Sequence, residues 1–157
     1  MRLLKLLLSL VMIMSSLVIY GQSDLQAILD KKADEIEAKV IEWRRDFHQY
    51  PELSNREFET AKKIEKHLRN LGLEVKTGVA HTGVVGVLKG GKPGPVVGLR
   101  ADMDALPVTE RTPVPFASKV RSTYLGQDVG VMHACGHDTH VAILMGTAQV
   151  LTEIKDE

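Results

Sequence analysis

Cysteine and histidine side chains are concentrated in one short segment of the chain. Residues 133–140 read His-Ala-Cys-Gly-His-Asp-Thr-His, which includes the single cysteine and three of the six histidines. Thiolate and imidazole are the ligands that zinc and its neighbouring transition metals prefer. Gly136 separates Cys135 from His137 and permits a backbone kink that points both side chains to one side. The segment therefore predicts two metal ligands, Cys135 and His137.

Three polar neighbours of these two residues are candidates for a supporting role: His133, Asp138 and His140. A carboxylate or a second polar group beside a ligand histidine can fix the orientation of its ring. Each of these histidines could instead be a hydrogen-bonded core or capping residue, and that alternative stays open. A further alternative makes Cys135 a nucleophile that a histidine base activates.

A second group of charged residues follows an apolar run. Residues 96–101 are apolar on both faces, which is typical of a central strand covered by helices. Asp102 and Asp104 come directly after it. Ligand sites in open α/β sheets lie beyond the carboxyl ends of strands, and alternate residues of an extended segment point the same way. The two carboxylates could therefore hold a cation or a ligand histidine. The alternative is solvation with an ion pair to Arg100.

The hydrophobic spacing predicts three helices. A capping box at residues 23–26 precedes a long apolar stripe that includes Trp43 and Phe47 and stops near Pro51. A second capping box at residues 54–57 opens a helix that ends at Gly72. A buried helix is predicted from about Thr139.

Short β segments are predicted between the second and third helices, at residues 73–76, 83–89 and 96–101. A polar stretch follows at residues 118–130, for which no helix or strand is predicted. Helices, then strands, then a helix predict the α/β fold class, with the sheet layered between helices.

The remaining histidines have simpler interpretations. His48 is predicted to stabilise the dipole at the end of the first helix. His67 is predicted to lie on the solvated, charged face of the second helix, and His81 is predicted to be a turn residue.

Composition excludes some function classes. The 157 residues include 20 Lys+Arg and 20 Asp+Glu, so no excess of basic residues favours nucleic-acid binding. A single cysteine cannot form an internal disulfide. The N-terminus has the pattern of a secretory signal peptide over residues 1–22: a basic start, an apolar run and a small residue before a polar segment. We therefore expect a secreted or periplasmic protein without a stable membrane span after processing. An uncleaved membrane anchor is the alternative.

Three segments resemble the M20 metallopeptidase family in order and spacing, at residues 46–53, 98–107 and 133–138. The resemblance is to the amidohydrolase branch: hippurate hydrolases, indole-acetyl-amino-acid hydrolases and N-acyl-amino-acid deacylases. It covers about residues 25–157. It implies a layered zinc-peptidase-like catalytic domain, of which residues 23–157 would be the N-terminal part. It also implies hydrolysis of the amide bond of N-acyl amino acids, a homodimer, and two divalent metal ions, manganese or zinc with cobalt or nickel as alternatives.

The resemblance also implies roles for single residues. Cys135 and His137 would be two of the metal ligands. Asp102 and Asp104 fall where the wider family has a His-x-Asp metal motif; because Asp102 replaces the histidine, both are expected to support the site rather than to ligate. The other ligands and the catalytic glutamate are expected beyond Glu157, so we expect no catalytic residue and no activity in this chain alone. The alternative is a non-catalytic metal-binding or partner-binding fragment.

Overall fold

A computed structural model describes the backbone of residues 2–157 and the side chains from Asp24 onward. The predicted leader, residues 1–22, lies outside the residues whose side chains are described. The chain divides into two compact units, Met1–Glu35 and Ile36–Glu157. Within the first unit, Lys31 pairs with Glu35 at 3.8 Å along one helix face. No helix in the described residues combines the length and apolar character that crossing a membrane requires.

Three helices form the α-helical part of the chain: α1 (Arg2–Gln49), α2 (Phe58–Asn70) and α3 (His137–Glu153). Because α1 runs continuously through residues 23–26, the helix start predicted there is wrong: the amides of a mid-helix turn already bond to the preceding turn, so a capping box has no free donors to satisfy. The end of α1 before Pro51 is confirmed. The end of α2 is confirmed as well, with Gly72 at a φ of 81° just after the helix.

Glu52, and not the predicted Ser54, caps the first turn of α2. Its carboxylate oxygens accept hydrogen bonds from the backbone amides of Glu59 at 3.2 Å and Thr60 at 2.8 Å. The N-cap residue Glu57 makes no side-chain capping bond. The capping box predicted at residues 54–57 is therefore wrong, because a carboxylate from the preceding loop satisfies the free amides and complements the helix dipole.

Two small antiparallel sheets accompany the helices. Strand β1 (Glu74–Val79) pairs with β2 (Gly83–Val87), which confirms both predicted β segments. Strand β3 (Arg121–Tyr124) pairs with β4 (Gln127–Gly130), so the polar stretch contains a hairpin that was not among the predicted β segments. Leu125 and Gly126 join these two strands with φ values of 49° and 77°. Two consecutive positive φ angles match the tight hairpin turn whose twist suits antiparallel strands. The Leu125-Gly126 pair is the sequence feature that could have predicted this turn.

The central strand predicted at residues 96–101 does not form in the described chain. Val96 is fully exposed and Leu99 is 54% exposed. A strand exists only through hydrogen bonds to a neighbour, and residues 96–101 have no strand partner among the described residues. Residues 96–101 have the apolar pattern of a buried strand, but the sheet that would surround such a strand is not present among the described residues.

Two isolated β-bridges lie just after residues 96–101 and connect this part of the chain to the rest of the second unit. Leu53 bridges Ala105 in parallel, and Leu106 bridges Met132 in antiparallel orientation. The Leu106–Met132 bridge has both hydrogen bonds, at 3.0 and 3.1 Å. These bridges bring the aspartates that precede Ala105 beside the segment that follows Met132.

The core consists of two clusters of buried apolar side chains. Phe47 of α1 packs with Val141 and Met145 of α3, and Trp43 is partly buried against them. Leu53, Ala105 and Val131 form the second cluster. The prediction that Trp43 and Phe47 belong to the core is confirmed.

His67 is half-buried between helices, so its predicted solvated position is wrong. Its ring Nε2–H donates to the carbonyl of Met145 at 3.0 Å and its ring packs edge-on against Trp43. Burial lowers the pKa of His67, and the bond to Met145 opposes this only in part. His81 has a φ of 95° in a turn and bonds the Asn55 carbonyl, which confirms its predicted place.

The lowered pKa of His67 predicts a pH-dependent stability. The unfolded chain takes up the proton first, so stability is unaffected well above the unfolded pKa of about 6.5 and falls as the pH drops through the unfolded and then the folded value. We expect wild-type protein to lose more free energy of unfolding between pH 7.5 and pH 5.5 than His67→Gln, which keeps an amide donor. Urea denaturation at both pH values measures the difference, and equal losses would contradict the prediction.

Candidate metal centre

Gly136 shapes the backbone between the two predicted metal ligands. It has a φ of 91° at the N-cap position of α3. This left-handed conformation suits glycine, since other residues pay a steric penalty there. Cys135 lies before the turn as a free, exposed thiol, and His137 is the first residue of the helix. The kink that the sequence permitted is present at this position.

Asp104 orients the ring of His137. The ring Nδ1–H donates to the carboxylate Oδ1 and to the backbone carbonyl of Asp104, both at 3.0 Å. The two side chains are 17% and 26% exposed. Because Nδ1 carries the proton, Nε2 retains the lone pair that a metal requires. A carboxylate that holds the far nitrogen of a ligand histidine is the usual partner of such a ligand.

Asp102 is engaged elsewhere. Its Oδ1 accepts from Nε and an Nη of Arg100, at 2.9 and 2.7 Å. The Arg100 hydrogen bonds and charge lower the pKa of Asp102, and His137 and His140 lower it further by smaller amounts. The ion pair to Arg100, one of the two interpretations from the sequence, is thus formed. No hydrogen bond joins Asp102 to a histidine in the described residues.

Asp138 and His48 form a buried ion-pair network that the sequence did not reveal. The Nδ1–H of His48 donates to Asp138 Oδ2 at 2.8 Å, and its Nε2–H donates to Glu110 Oε1 at 3.0 Å. Arg44 Nε lies 2.9 Å from Asp138 Oδ2. His48 lies in the last turn of α1, as predicted, but its ring also turns inward between two carboxylates, which the prediction did not include. Both ring nitrogens lie within hydrogen-bond distance of a carboxylate oxygen, so the His48 ring bridges Asp138 and Glu110.

Glu110 is held as a carboxylate within this network. Burial alone would raise its pKa, but hydrogen bonds from the Thr112 hydroxyl, His48 and the Ser118 amide together lower the pKa. That Arg44, His48 and Glu110 form one group was not predicted from the sequence. The four-residue spacing of Arg44 and His48 on one helix face was the only local signal.

His133 is buried with both ring nitrogens unpartnered, and Asp138 Oδ1 is also buried without a partner. Burial lowers the pKa of His133 to about 4, although the nearby Asp138 raises it. The ring is therefore neutral at neutral pH. His140 is exposed on the first turn of α3, with its ring centroid 5.9 Å from that of His137.

The predicted site residues do not form a complete metal site. Among the described residues, no group of three or more His, Cys, Asp or Glu side chains could hold a metal ion. The donor chemistry of Cys135 and His137 nevertheless fits a metal: one exposed thiol and one imidazole whose tautomer leaves Nε2 available. Because a catalytic zinc normally has three protein ligands, these two residues fit as part of a larger ligand set.

Known proteins match this chain across most of its length. Residues 98–157 match the model of peptidase family M20/M25/M40. Thermostable carboxypeptidase 1 of Saccharolobus solfataricus is 52% identical over 134 residues, which are 85% of this chain and 32% of that protein. An N-acyl-L-amino acid amidohydrolase of Geobacillus stearothermophilus is 42% identical over 129 residues, 82% of this chain and 33% of that protein.

The fold matches a solved structure as well. A dinuclear metal-binding peptidase of the M20 family from Bacillus subtilis superposes with a TM-score of 0.68 at 44% identity, covering 78% of this chain and 32% of that one. The mixed helix and sheet fold class is thereby confirmed for the part that this chain covers. The chain spans about a third of the length of the curated relatives it matches.

Proposed function

We propose a function from one premise: the chain belongs to peptidase family M20/M25/M40. The protein that contains it hydrolyses amide bonds, and its substrates are N-acyl amino acids. The chain contributes Cys135 and His137 to a centre of two divalent metal ions. Names of relatives support the substrate class, since they include an N-acyl-L-amino acid amidohydrolase and an N-acetyl-L-cysteine deacetylase. The name of a solved relative supports the two metals.

The observation that carries this proposal is the hydrogen bonding of His137. Asp104 accepts from Nδ1 twice, which leaves Nε2 without a hydrogen-bond partner among the described residues. A histidine in a merely structural role has no need of this arrangement beside an exposed cysteine. When bound, divalent metals would polarise the amide carbonyl and lower the pKa of a bound water. Asp104 would hold the ring in one tautomer throughout the reaction.

A thiol hydrolase built on Cys135 is the alternative function. A cysteine nucleophile needs a general base within hydrogen-bond reach. His133 and His137 each lie two residues from Cys135. The Nδ1 of His137 bonds Asp104, and both ring nitrogens of His133 are buried without a hydrogen-bond partner. The described residues include no hydrogen bond between the Cys135 thiol and a histidine ring, so the nucleophile–base pair of a thiol hydrolase is not formed.

The test is amine release from N-acetyl and N-benzoyl amino acids by the full-length protein. Activity should disappear on chelation and return with manganese, zinc or cobalt. Asp104→Asn should weaken metal binding by about 10- to 100-fold, the usual effect of losing the partner of a ligand histidine. Activity that survives the chelator but is lost in Cys135→Ser would instead support the thiol hydrolase.

We also propose that residues 1–22 direct export, because the basic start and apolar run have the order of a signal peptide. N-terminal sequencing of the exported protein measures this. A mature chain that still begins at Met1 would contradict it.

A further inference from the structure

We infer that His48 is a positioning residue for the metal ligands, because it joins the two ends of the segment that carries Cys135 and His137. This inference rests on the proposed function. His48 itself lies on α1, far from the segment in sequence, and donates no atom to the metal site. Its effect would pass through Asp138 on one side and Glu110 on the other.

The first connection reaches the C-terminal end of the segment. Asp138 is the residue after His137 and is only 1% exposed. Its Oδ2 accepts hydrogen bonds from His48 at 2.8 Å and from Arg44 at 2.9 Å. The first turn of α3, and with it the backbone of His137, is therefore tied to the end of α1.

The second connection reaches the N-terminal end of the segment. The Nε2–H of His48 donates to Glu110 at 3.0 Å, and Glu110 also accepts from the backbone amide of Ser118. The Ser118 hydroxyl in turn donates to the carbonyl of Val131 at 2.7 Å. Val131 lies four residues before Cys135 and is 1% exposed. A continuous chain of buried and partly buried hydrogen bonds thus runs from residue 138 through His48 back to residue 131.

The segment needs such a bridge because regular structure does not hold it. Between the end of β4 at Gly130 and the start of α3, the backbone has no helix and only the isolated bridge at Met132. Asp104 holds the ring of His137 directly, and the backbone that carries Cys135 and His137 depends in addition on what fixes the two ends of the segment. The side chains of His48 and Glu110 are 6% and 1% exposed, and hydrogen bonds in such a dry environment resist competition from water.

The charges of the network make His48 difficult to replace. The guanidinium of Arg44 and the ring of His48 face two carboxylates, Asp138 and Glu110. Removing one member of a buried ion pair leaves its partner without compensation. A glutamine at position 48 could donate to one carboxylate only, so the connection to the other would open.

The experiment compares metal affinity among three variants of the full-length protein. His48→Gln cuts the bridge at its centre, and Ser118→Ala cuts only the last connection, to Val131. His67→Gln is the matched control: it also replaces an inward-facing histidine that bonds α3, at Met145, but lies outside the network. Cobalt is titrated into apo protein and followed by its visible absorption, and folding is checked separately by circular dichroism.

We expect His48→Gln to weaken cobalt binding by about 10- to 100-fold, as for other residues that orient ligands, and to change the shape of the absorption band. Ser118→Ala should weaken it less, and His67→Gln should leave both readouts unchanged. Should His48→Gln fail to fold, unchanged binding by Ser118→Ala would overturn the inference. Equal losses in His48→Gln and His67→Gln would also overturn it. A wild-type protein that binds no cobalt would overturn the proposed function together with this inference, whereas unchanged binding by a folded His48→Gln would overturn the inference alone.

Discussion

His137→Ala is expected to eliminate chelator-sensitive amide hydrolysis by the full-length protein and to lower its bound metal. The Nδ1 of His137 is fixed by two acceptors of Asp104, the carboxylate and the backbone carbonyl, both at 3.0 Å. Removing a ligand should weaken metal binding by more than the roughly 10- to 100-fold that follows when a residue that only orients a ligand is removed. Steady-state kinetics and metal analysis by mass spectrometry measure the two effects.

The matched control for this variant is His81→Ala. His81 is also a histidine outside the core, but its ring bonds a backbone carbonyl in a distant turn. It should keep normal activity and normal metal content. His137→Ala protein that retains its full metal content would remove His137 from the ligand set and leave the proposed function without its main support.

Phe47→Ala is expected to be the most destabilising of the changes considered. The ring is 3% exposed and packs against Val141 and Met145 at the junction of α1 and α3. Truncation of a buried phenylalanine typically costs about 3–5 kcal/mol through lost burial and the cavity that remains. Since domains are stable by only about 5–15 kcal/mol, much of the protein's stability would be lost. Urea denaturation of the full-length protein measures the change.

Ile41→Ala on the same helix serves as the comparison. Ile41 is 42% exposed, so its truncation should change the free energy of unfolding by no more than about 0.5 kcal/mol. Similar losses at the two positions would show that the core described here does not stabilise the protein.

Local chemistry made part of the candidate site predictable from sequence. The donor types of Cys135 and His137 and the flexibility of Gly136 are properties of adjacent residues, so the motif and its kink could be inferred without the fold. The supporting place of Asp104 was also predicted, but only the bridges at Ala105 and Leu106 bring it to His137. The neighbouring Asp102 has similar surroundings in sequence and instead pairs with Arg100.

The network around His48 could not be predicted, because its members are far apart in the chain. His48 and Glu110 are separated by 62 residues, and His48 and Asp138 by 90. Spacing rules describe neighbours on one helix or strand and carry no information about such pairs. A histidine at a helix end therefore resembled a dipole partner until the packing of α1 against the loops turned its ring inward.

The secondary structure also includes elements that the sequence alone predicted and one that depends on the tertiary structure. Helix α2, the β1–β2 hairpin and the end of α1 follow from capping, turn and periodicity signals within each segment, so the sequence by itself determined them. Residues 96–101 have the apolar pattern of a central strand, yet Val96 and Leu99 remain exposed. A strand forms through hydrogen bonds to other segments, so its existence is a property of the tertiary structure. The sequence thus determined which residues could bind a metal, and the tertiary structure decided which of their neighbours hold them in place.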